Sequence, residues 1–403
     1  MLIHRNRTLN RLLRHPFLRF FLALLFVWDT LHILNIHFQQ ATNGHTSELP
    51  PKNEKRIYIA AHHWNSGRLL RDRWSNALIA LVTELGIPNI YVSIFESGSY
   101  DDTKGALREL DLTLADLGVD RKITLSDVSH HDEITKQPGE GWIKIPDGNL
   151  ALRRIPFLAN LRNQVLVTLE ELGRNGQKFD TVLFLNDVVF EPSDVLRLLN
   201  TNHGEFAAAC SLDFTAPPAI YDTFALRDSV GHEVLMQTYP YFRSSASRHA
   251  AQRHLPVPVS SCWNGMVAMP AAPFLAENPL RFRAIPDSLA AFHVEGSECC
   301  LIHADNHWST KKGVFLNPNV RVAYNGTSFD ALRAIPEMGI WDVYKGIWKN
   351  RLLRWTSSPV LKEWVVGNRV KRWRKEHQKE VEPGKFCLVN EMQVIHEKGW
   401  RHV

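Results

Sequence analysis

From Arg56 onward the chain alternates short β-rich apolar runs with amphipathic stripes, and this alternation restricts the fold more than any other feature of its 403 residues. Ile57–Ala61, Ile90–Phe95, Lys122–Leu125 and Thr181–Leu185 read as strands. The first, second and fourth are almost continuously apolar, the pattern of strands covered on both faces. Between them Leu70, Trp74, Ala77, Leu81 and Leu85 recur at helical spacing, as do Leu107, Leu110, Leu114 and Leu117 after the cap signal Asp101-Asp102-Thr103. Leu158, Leu161, Val165, Leu169 and Leu172 form a third stripe, with Pro156 in its first turn. Strands alternating with helices predict right-handed βαβ units and an α/β fold with a mainly parallel central sheet, whose ligands bind at the carboxyl ends of the strands.

The loop after the first strand reads Ala60-Ala61-His62-His63-Trp64-Asn65-Ser66-Gly67. It matches neither the glycine fingerprint of a dinucleotide-binding turn nor a P-loop. Its position at a strand end makes Asn65 a candidate donor-binding residue. The fourth strand runs out into Phe184-Leu185-Asn186-Asp187-Val188-Val189-Phe190. A carboxylate beside an amide at that edge stands where a hard divalent ion bridging two phosphates needs an oxygen ligand. An Asp in this place also serves as the cap of a following turn.

Ahead of the alternating region, Arg5, Arg7, Arg11, Arg14 and Arg19 precede the apolar stretch Phe20–Phe38, which is near the length that crosses a bilayer. Asp29 and His32 interrupt it, and Asp29 calls for protonation or for a partner on a second helix. Arginines on the N-terminal flank predict a type II signal anchor: a cytosolic basic tail at 1–19, a transmembrane helix at 20–38 and a polar stem at 39–56. A cleaved signal peptide and an amphipathic surface helix are the alternatives. All five cysteines lie beyond the stem, which in an oxidising lumen allows two disulfides and one remaining thiol. Asn325-Gly326-Thr327 is an N-glycosylation sequon.

The net charge of +5 is unevenly spread. Residues 1–19 hold five basic side chains and no acid, 20–344 hold 28 basic and 36 acidic, and 345–403 hold 14 basic and 6 acidic. An acidic body between basic ends argues against a nucleic-acid-binding domain.

Five blocks together resemble the fungal family of capsule-associated α-1,3-mannosyltransferases. They are Asp187 within LFLNDVVF, Ala209–Phe214, Tyr221–Asp228, Ser261–Gly265 and Ser297–Asn306. The similarity covers about residues 56–345. It implies a GT-A-like nucleotide-sugar-binding fold over 57–340, in a Golgi or other secretory-pathway membrane enzyme that takes GDP-mannose as donor and uses Mn²⁺ or Mg²⁺. A mannose-containing glycan is the implied acceptor, with α-1,3 linkage and retention. A non-catalytic member that binds glycan or nucleotide-sugar and supports polysaccharide assembly or export is the alternative.

A nucleoside diphosphate leaving group and an oxocarbenium-like sugar define what such a site must stabilise. Asn186-Asp187 resembles a degenerate Asp-x-Asp signature, with Val188 in place of the second acid. Asp187 is the expected metal ligand, with His303 and Asp305 completing the shell. Arg162 and Asn163, beside the third apolar stripe, are expected at the donor diphosphate. Asp213 and Glu298 are the candidate catalytic acids. Trp263, Asn264 and Gly265 offer an aromatic face, an amide and open backbone to an acceptor sugar. Residues 341–403, with Trp341, Trp348, Trp355, Trp364 and Trp373 among many basic residues, are expected to form an accessory segment that packs its tryptophans on the domain and turns its charges to solvent or to anionic headgroups.

Overall fold

The computed structural model describes residues 15–45, 55–334 and 338–403. The first three expected strands are β1 (Ile57–His63), β2 (Ile90–Ser97) and β3 (Asp120–Ser126), and the fourth is β4 (Thr181–Leu185). Later come β5 (Ala208–Ala216), β6 (Arg227–Asp228), β7 (Val257–Ser261), β8 (Met266–Pro270) and β9 (Val314–Ala323). One sheet joins them in the order β3-β2-β1-β4-β8-β5-β9-β7-β6. The β3-β2-β1-β4 half is wholly parallel. The sheet as a whole is mixed, because β8 runs antiparallel to both β4 and β5, while β5 and β9 pair in parallel.

The helices follow the stripes: α1 (Pro16–His45), α2 (Ser75–Leu85), α3 (Thr103–Asp116) and α4 (Arg154–Arg174). Further along are α5 (Pro192–Leu199), α6 (Ser245–Gln252), α7 (Glu298–Asp305), α8 (Ile340–Thr356) and α9 (Val360–Glu376). Alternation along β1 divides the core. Tyr58 and Ala60 pack with Val165, Leu166 and Leu169 of α4, whereas Ile57, Ile59 and Ala61 meet Leu78 and Leu81 of α2 and Leu107 and Leu110 of α3. The Tyr58 hydroxyl donates to the Val165 carbonyl at 2.6 Å, pinning α4 across the sheet. A Leu→Ala change at such sites costs about 2–5 kcal/mol.

Among the described residues α1 is the one helix long and apolar enough to cross a membrane. Its first half carries exposed Phe17, Phe20, Phe21 and Leu22 through to Trp28. From Asp29 on, one face is buried on the domain through Ile33, Ile36 and Gln40. Asp29 finds its partner on a second helix, an ion pair with Arg351 of α8 at 2.6 Å. Gln40 donates to Tyr239 Oη at 2.7 Å and to the Gln252 carbonyl at 2.8 Å. The apolar surface left uncovered by protein therefore lies mainly on the N-terminal side of Asp29.

The C-terminal segment is built into the domain. Trp373 is fully buried in a core with Leu289, Val294 and Leu301. The hairpin β10 (Gln393–His396) and β11 (Gly399–His402) lies beside α4, where Arg154 donates to Gln393 at 2.6 Å and stacks over Trp400 at 4.4 Å. Two disulfides, Cys210–Cys262 and Cys300–Cys387, leave Cys299 as the free, buried thiol.

Candidate active site

Parallel pairing brings the ends of β1, β2 and β4 to one edge of the sheet. β5 and β9 end at the same edge, because both keep the direction of β4. β8, antiparallel to β4, begins there, and the Asn186 amide donates to the Gly265 carbonyl at 3.0 Å. Gly265 has φ +89°, and a Cβ on it would stand 2.6 Å from Val322 Cγ2, so the chain can approach β9 only as glycine.

At this edge Arg162 acts on the charges of Asp187 and Asp222 and bonds Glu298, and Asp213 stands beside Asp222. Asp213 is fully buried. Asn264 Nδ2 donates to its Oδ1 at 2.8 Å, the Asp222 amide donates to the same oxygen at 3.2 Å, and Tyr324 Oη donates to Oδ2 at 3.1 Å. The Asp222 carboxylate turns back on its own loop, accepting from the amides of Phe224 (3.0 Å) and Ala225 (3.1 Å). Burial pushes both acids up, and the charge of Asp222 pushes Asp213 further. Arg162 Nε donates to Glu298 Oε1 at 2.9 Å and its guanidinium lies 4.5 Å from the Trp263 ring centre. Asp187 is half-buried, and burial raises its carboxyl to about 6 against the pull of Arg162. Tyr324 feels Asp213, Asp187 and Asp222 together, and burial with these charges holds its phenol un-ionised. The arrangement can bind a cation, orient sugar hydroxyls and hold an anionic leaving group close to fixed positive charge.

The family model described as Cryptococcal mannosyltransferase 1 matches residues 56–305, the stretch that carries Asp187, Asp213, Asp222, Arg162 and Glu298. The chain belongs to this family. It is a glycosyltransferase of the mannosyltransferase family, on a mixed sheet with a parallel core. No curated protein matches it. Among solved structures it is similar to the mannosyltransferase PcManGT of Pyrobaculum calidifontis in complex with GDP-Man and Mn²⁺, at 11% identity over 88% of each chain and a TM-score of 0.37. It is also similar to residues 1–349 of S. aureus TarS, at 10% identity over 79% of this chain and 72% of that one, TM-score 0.36. Glucosyl-3-phosphoglycerate synthase of Mycobacterium tuberculosis, with phosphoglyceric acid, is similar at 12% identity over 79% and 83%, TM-score 0.32.

Of the residues expected at the site of this family member, Asn186, Asp187, Arg162, Asp213, Glu298, Trp263, Asn264 and Gly265 are gathered at the one edge. Several have duties other than those expected. Trp263 is almost fully buried, packed against Phe184 and Phe282 with Arg162 over it, so its ring supports the arginine and presents no face to an acceptor sugar. Asn264 donates its Nδ2 hydrogens to Asp213 and to the Asp222 carbonyl (2.9 Å), while its buried Oδ1 has no hydrogen-bond partner among the described residues. Asn163 clamps the backbone of Phe282, donating to its carbonyl at 2.8 Å and accepting from its amide at 3.0 Å, so its side chain is fixed on that segment. Asn65 is exposed and ties the β1 and β2 loops together, its Oδ1 accepting from the Tyr100 amide at 2.8 Å.

His303 and Asp305 do not complete a shell with Asp187. The His303 ring bonds the Cys262 carbonyl at 2.7 Å, and both oxygens of Asp305 accept from Arg283, at 2.6 and 2.9 Å. His303 does approach Cys210 and Cys262, but those sulfurs are joined to each other and supply no thiolate for a metal. Asn325 is exposed and caps the following helix, accepting from the Ser328 amide at 2.8 Å.

Four residues of the edge escaped the sequence reading. Asp222 stands nine residues after Asp213, and its signal was the Asp-Thr-Phe turn. Tyr324 follows β9 directly. Arg154 opens α4 and is influenced by Glu298 and Asp222. Glu96 ends β2 fully buried: its Oε1 accepts from the Ser99 amide, while Oε2 has no hydrogen-bond partner and lies 4.0 Å from Lys104 Nζ.

Proposed function

We propose that this chain transfers mannose from GDP-mannose to a mannose-containing glycan, forming an α-1,3 linkage with retention, on a GT-A-like domain (57–340) that faces the lumen of the Golgi or another secretory compartment. α1 is its type II signal anchor, with 1–19 cytosolic and 39–56 a stem. The observation that carries the reading is the gathering of Asp187, Asp222 and Glu298 about Arg162, with Asp213 beside Asp222, at the carboxyl edge of the parallel strands.

Asp187 is the residue that would hold a divalent metal. Asp187 is a half-buried carboxylate whose ionisation burial disfavours, so a cation is what would restore its charge, and an oxygen ligand suits Mn²⁺ or Mg²⁺. Such an ion, when bound, neutralises the charge that grows on the departing diphosphate. The remaining work falls to side chains. Arg162 holds Glu298 in one orientation toward the acceptor hydroxyl. Asp213, gripped by Asn264 and Tyr324, is fixed to receive mannose hydroxyls or the anomeric centre. The two disulfides and the exposed sequon at Asn325 support the lumenal placement.

Purified chain given labelled GDP-mannose and an α-mannobioside, with and without Mn²⁺, tests the reading. Metal-dependent transfer of label with release of GDP is expected, and the absence of both overturns it.

A further inference from the structure

A second surface of the molecule is apolar where a folded domain ordinarily is not. The turn between α8 and α9 carries Leu352, Trp355, Val360, Leu361 and Trp364, exposed by 52%, 66%, 62%, 76% and 62%. Single exposed apolar side chains need no explanation, but five within thirteen residues, two of them Trp, make a patch.

The packing of α1 tells where this patch points. Gln40 bonds Tyr239, whose ring and carbonyl press against Gly346 of α8. Toward its N-terminus α1 next meets α8 through Asp29 and Arg351, five residues further along α8. The two helices are therefore antiparallel. As α1 runs back into its exposed apolar half, α8 runs forward into the exposed tip. Leu352 directly follows Arg351, and Trp28 directly precedes Asp29.

Positive charge surrounds the crossing point. Arg243, Arg248 and Arg354 are held there by hydroxyl, carbonyl and amide oxygens. Burial first, and then Arg354 and Arg351, pull Arg248 down to about 10, so these charges sit close enough to repel one another. The charged side chains at the start of α9 are turned aside: Lys362 to Glu233 at 3.3 Å and Glu363 to His232 at 2.6 Å. Arginines beside tryptophans, at the level where an apolar helix leaves a domain, are the residue set of a bilayer interface, with phosphate groups the natural counter-ions.

We propose that the α8–α9 tip is a second membrane element, dipping Leu352, Trp355, Leu361 and Trp364 into the headgroup region of a phospholipid bilayer beside α1. The domain is then held against the membrane at two points in a fixed attitude, instead of swinging on a single tether. This rests on α1 being the membrane helix, so the experiment reads the two elements separately.

The full chain, reconstituted in phosphatidylcholine vesicles containing a doxyl-labelled lipid, is given a fluorescent label at one introduced cysteine at a time. Cys299 is buried and the other cysteines are paired, so the introduced thiol is the one that reacts. Labels at Leu361→Cys and Trp364→Cys are expected to be quenched by lipid, as is one at Phe21→Cys in α1, while Lys371→Cys, further along α9, stays unquenched. Two tip positions guard against one variant folding badly. Quenching at Phe21→Cys with none at either tip position overturns the proposal and leaves the anchor standing. Quenching at none of these positions overturns both, and equal quenching at Lys371→Cys overturns the tip in favour of indiscriminate adsorption.

Discussion

Arg162 of α4 reaches Glu298 at the start of α7 with a 2.9 Å hydrogen bond while its guanidinium lies over Trp263, 4.5 Å from the ring centre. One side chain thus fixes an acid, covers an aromatic and places positive charge near Asp187 and Asp222. Replacing it with Ala leaves Glu298, 2% exposed, as an uncompensated buried acid, and is expected to lower stability by about 3–5 kcal/mol. Arg162→Lys keeps the charge but loses the guanidinium contact over Trp263 and the Nε bond to Glu298, so transfer should fall even where thermal melts show a folded protein. Transfer by Arg162→Lys equal to that of the unaltered chain would show that charge alone is what the site uses.

Asp187→Asn tests the metal by a route independent of turnover. Mn²⁺ at about a hundred times its dissociation constant stabilises a protein that binds it by about 2.7 kcal/mol. The unaltered chain is expected to melt higher with Mn²⁺, and Asp187→Asn to show little of that shift. A shift of the same size in the variant, followed by scanning calorimetry, assigns the ion elsewhere.

His63 ends β1 with neither ring nitrogen hydrogen-bonded, edge-on to Trp74 at 4.5 Å, and burial lowers its pKa to about 3. The unfolded chain takes up a proton near pH 6.5 that the folded chain refuses. Its contribution is therefore whole above about pH 6.5 and is lost as the pH falls toward about 3. At about 1.4 kcal/mol per pH unit, the loss at pH 5 is about 2 kcal/mol. Urea unfolding of His63→Phe should show a decline between pH 7 and pH 5 that is smaller by this amount, and identical declines would contradict the account.

Cys387→Ser opens the bond that sews the C-terminal segment to α7, across a sequence separation of 87. A loss of about 2–5 kcal/mol is expected, visible in thermal melts. Because Cys300 lies two residues from Glu298, transfer should also become more heat-sensitive than the melt alone accounts for.

Strands with a strong local signal were readable. Ile57–Ala61, Ile90–Phe95 and Thr181–Leu185 fall inside β1, β2 and β4, since continuous β-branched runs need no distant information to be recognised. The mixing of the second half was not readable: β8 is antiparallel to β4 only because of its distant place in the order. Within the site, residue type found Asp187, Asp213, Glu298 and Arg162 but could not say which side chains were already engaged. Asp305 looks like a free acid until Arg283, 22 residues away, takes both its oxygens. Trp263 looks like a sugar platform until Phe184 and Phe282 close over it. Such commitments are tertiary and leave no local trace.

The Cys300–Cys387 bond also has a meaning in time. The ribosome delivers Cys387 long after Cys300, and domains otherwise begin to fold from the N-terminal side as they emerge. The helix that carries Glu298 cannot be locked until almost the whole domain has been made. A product stopped short of residue 387 is left with a second unmatched thiol, Cys300 next to Cys299, near its acidic centre, a mark by which an unfinished enzyme differs chemically from a finished one before either has met a substrate.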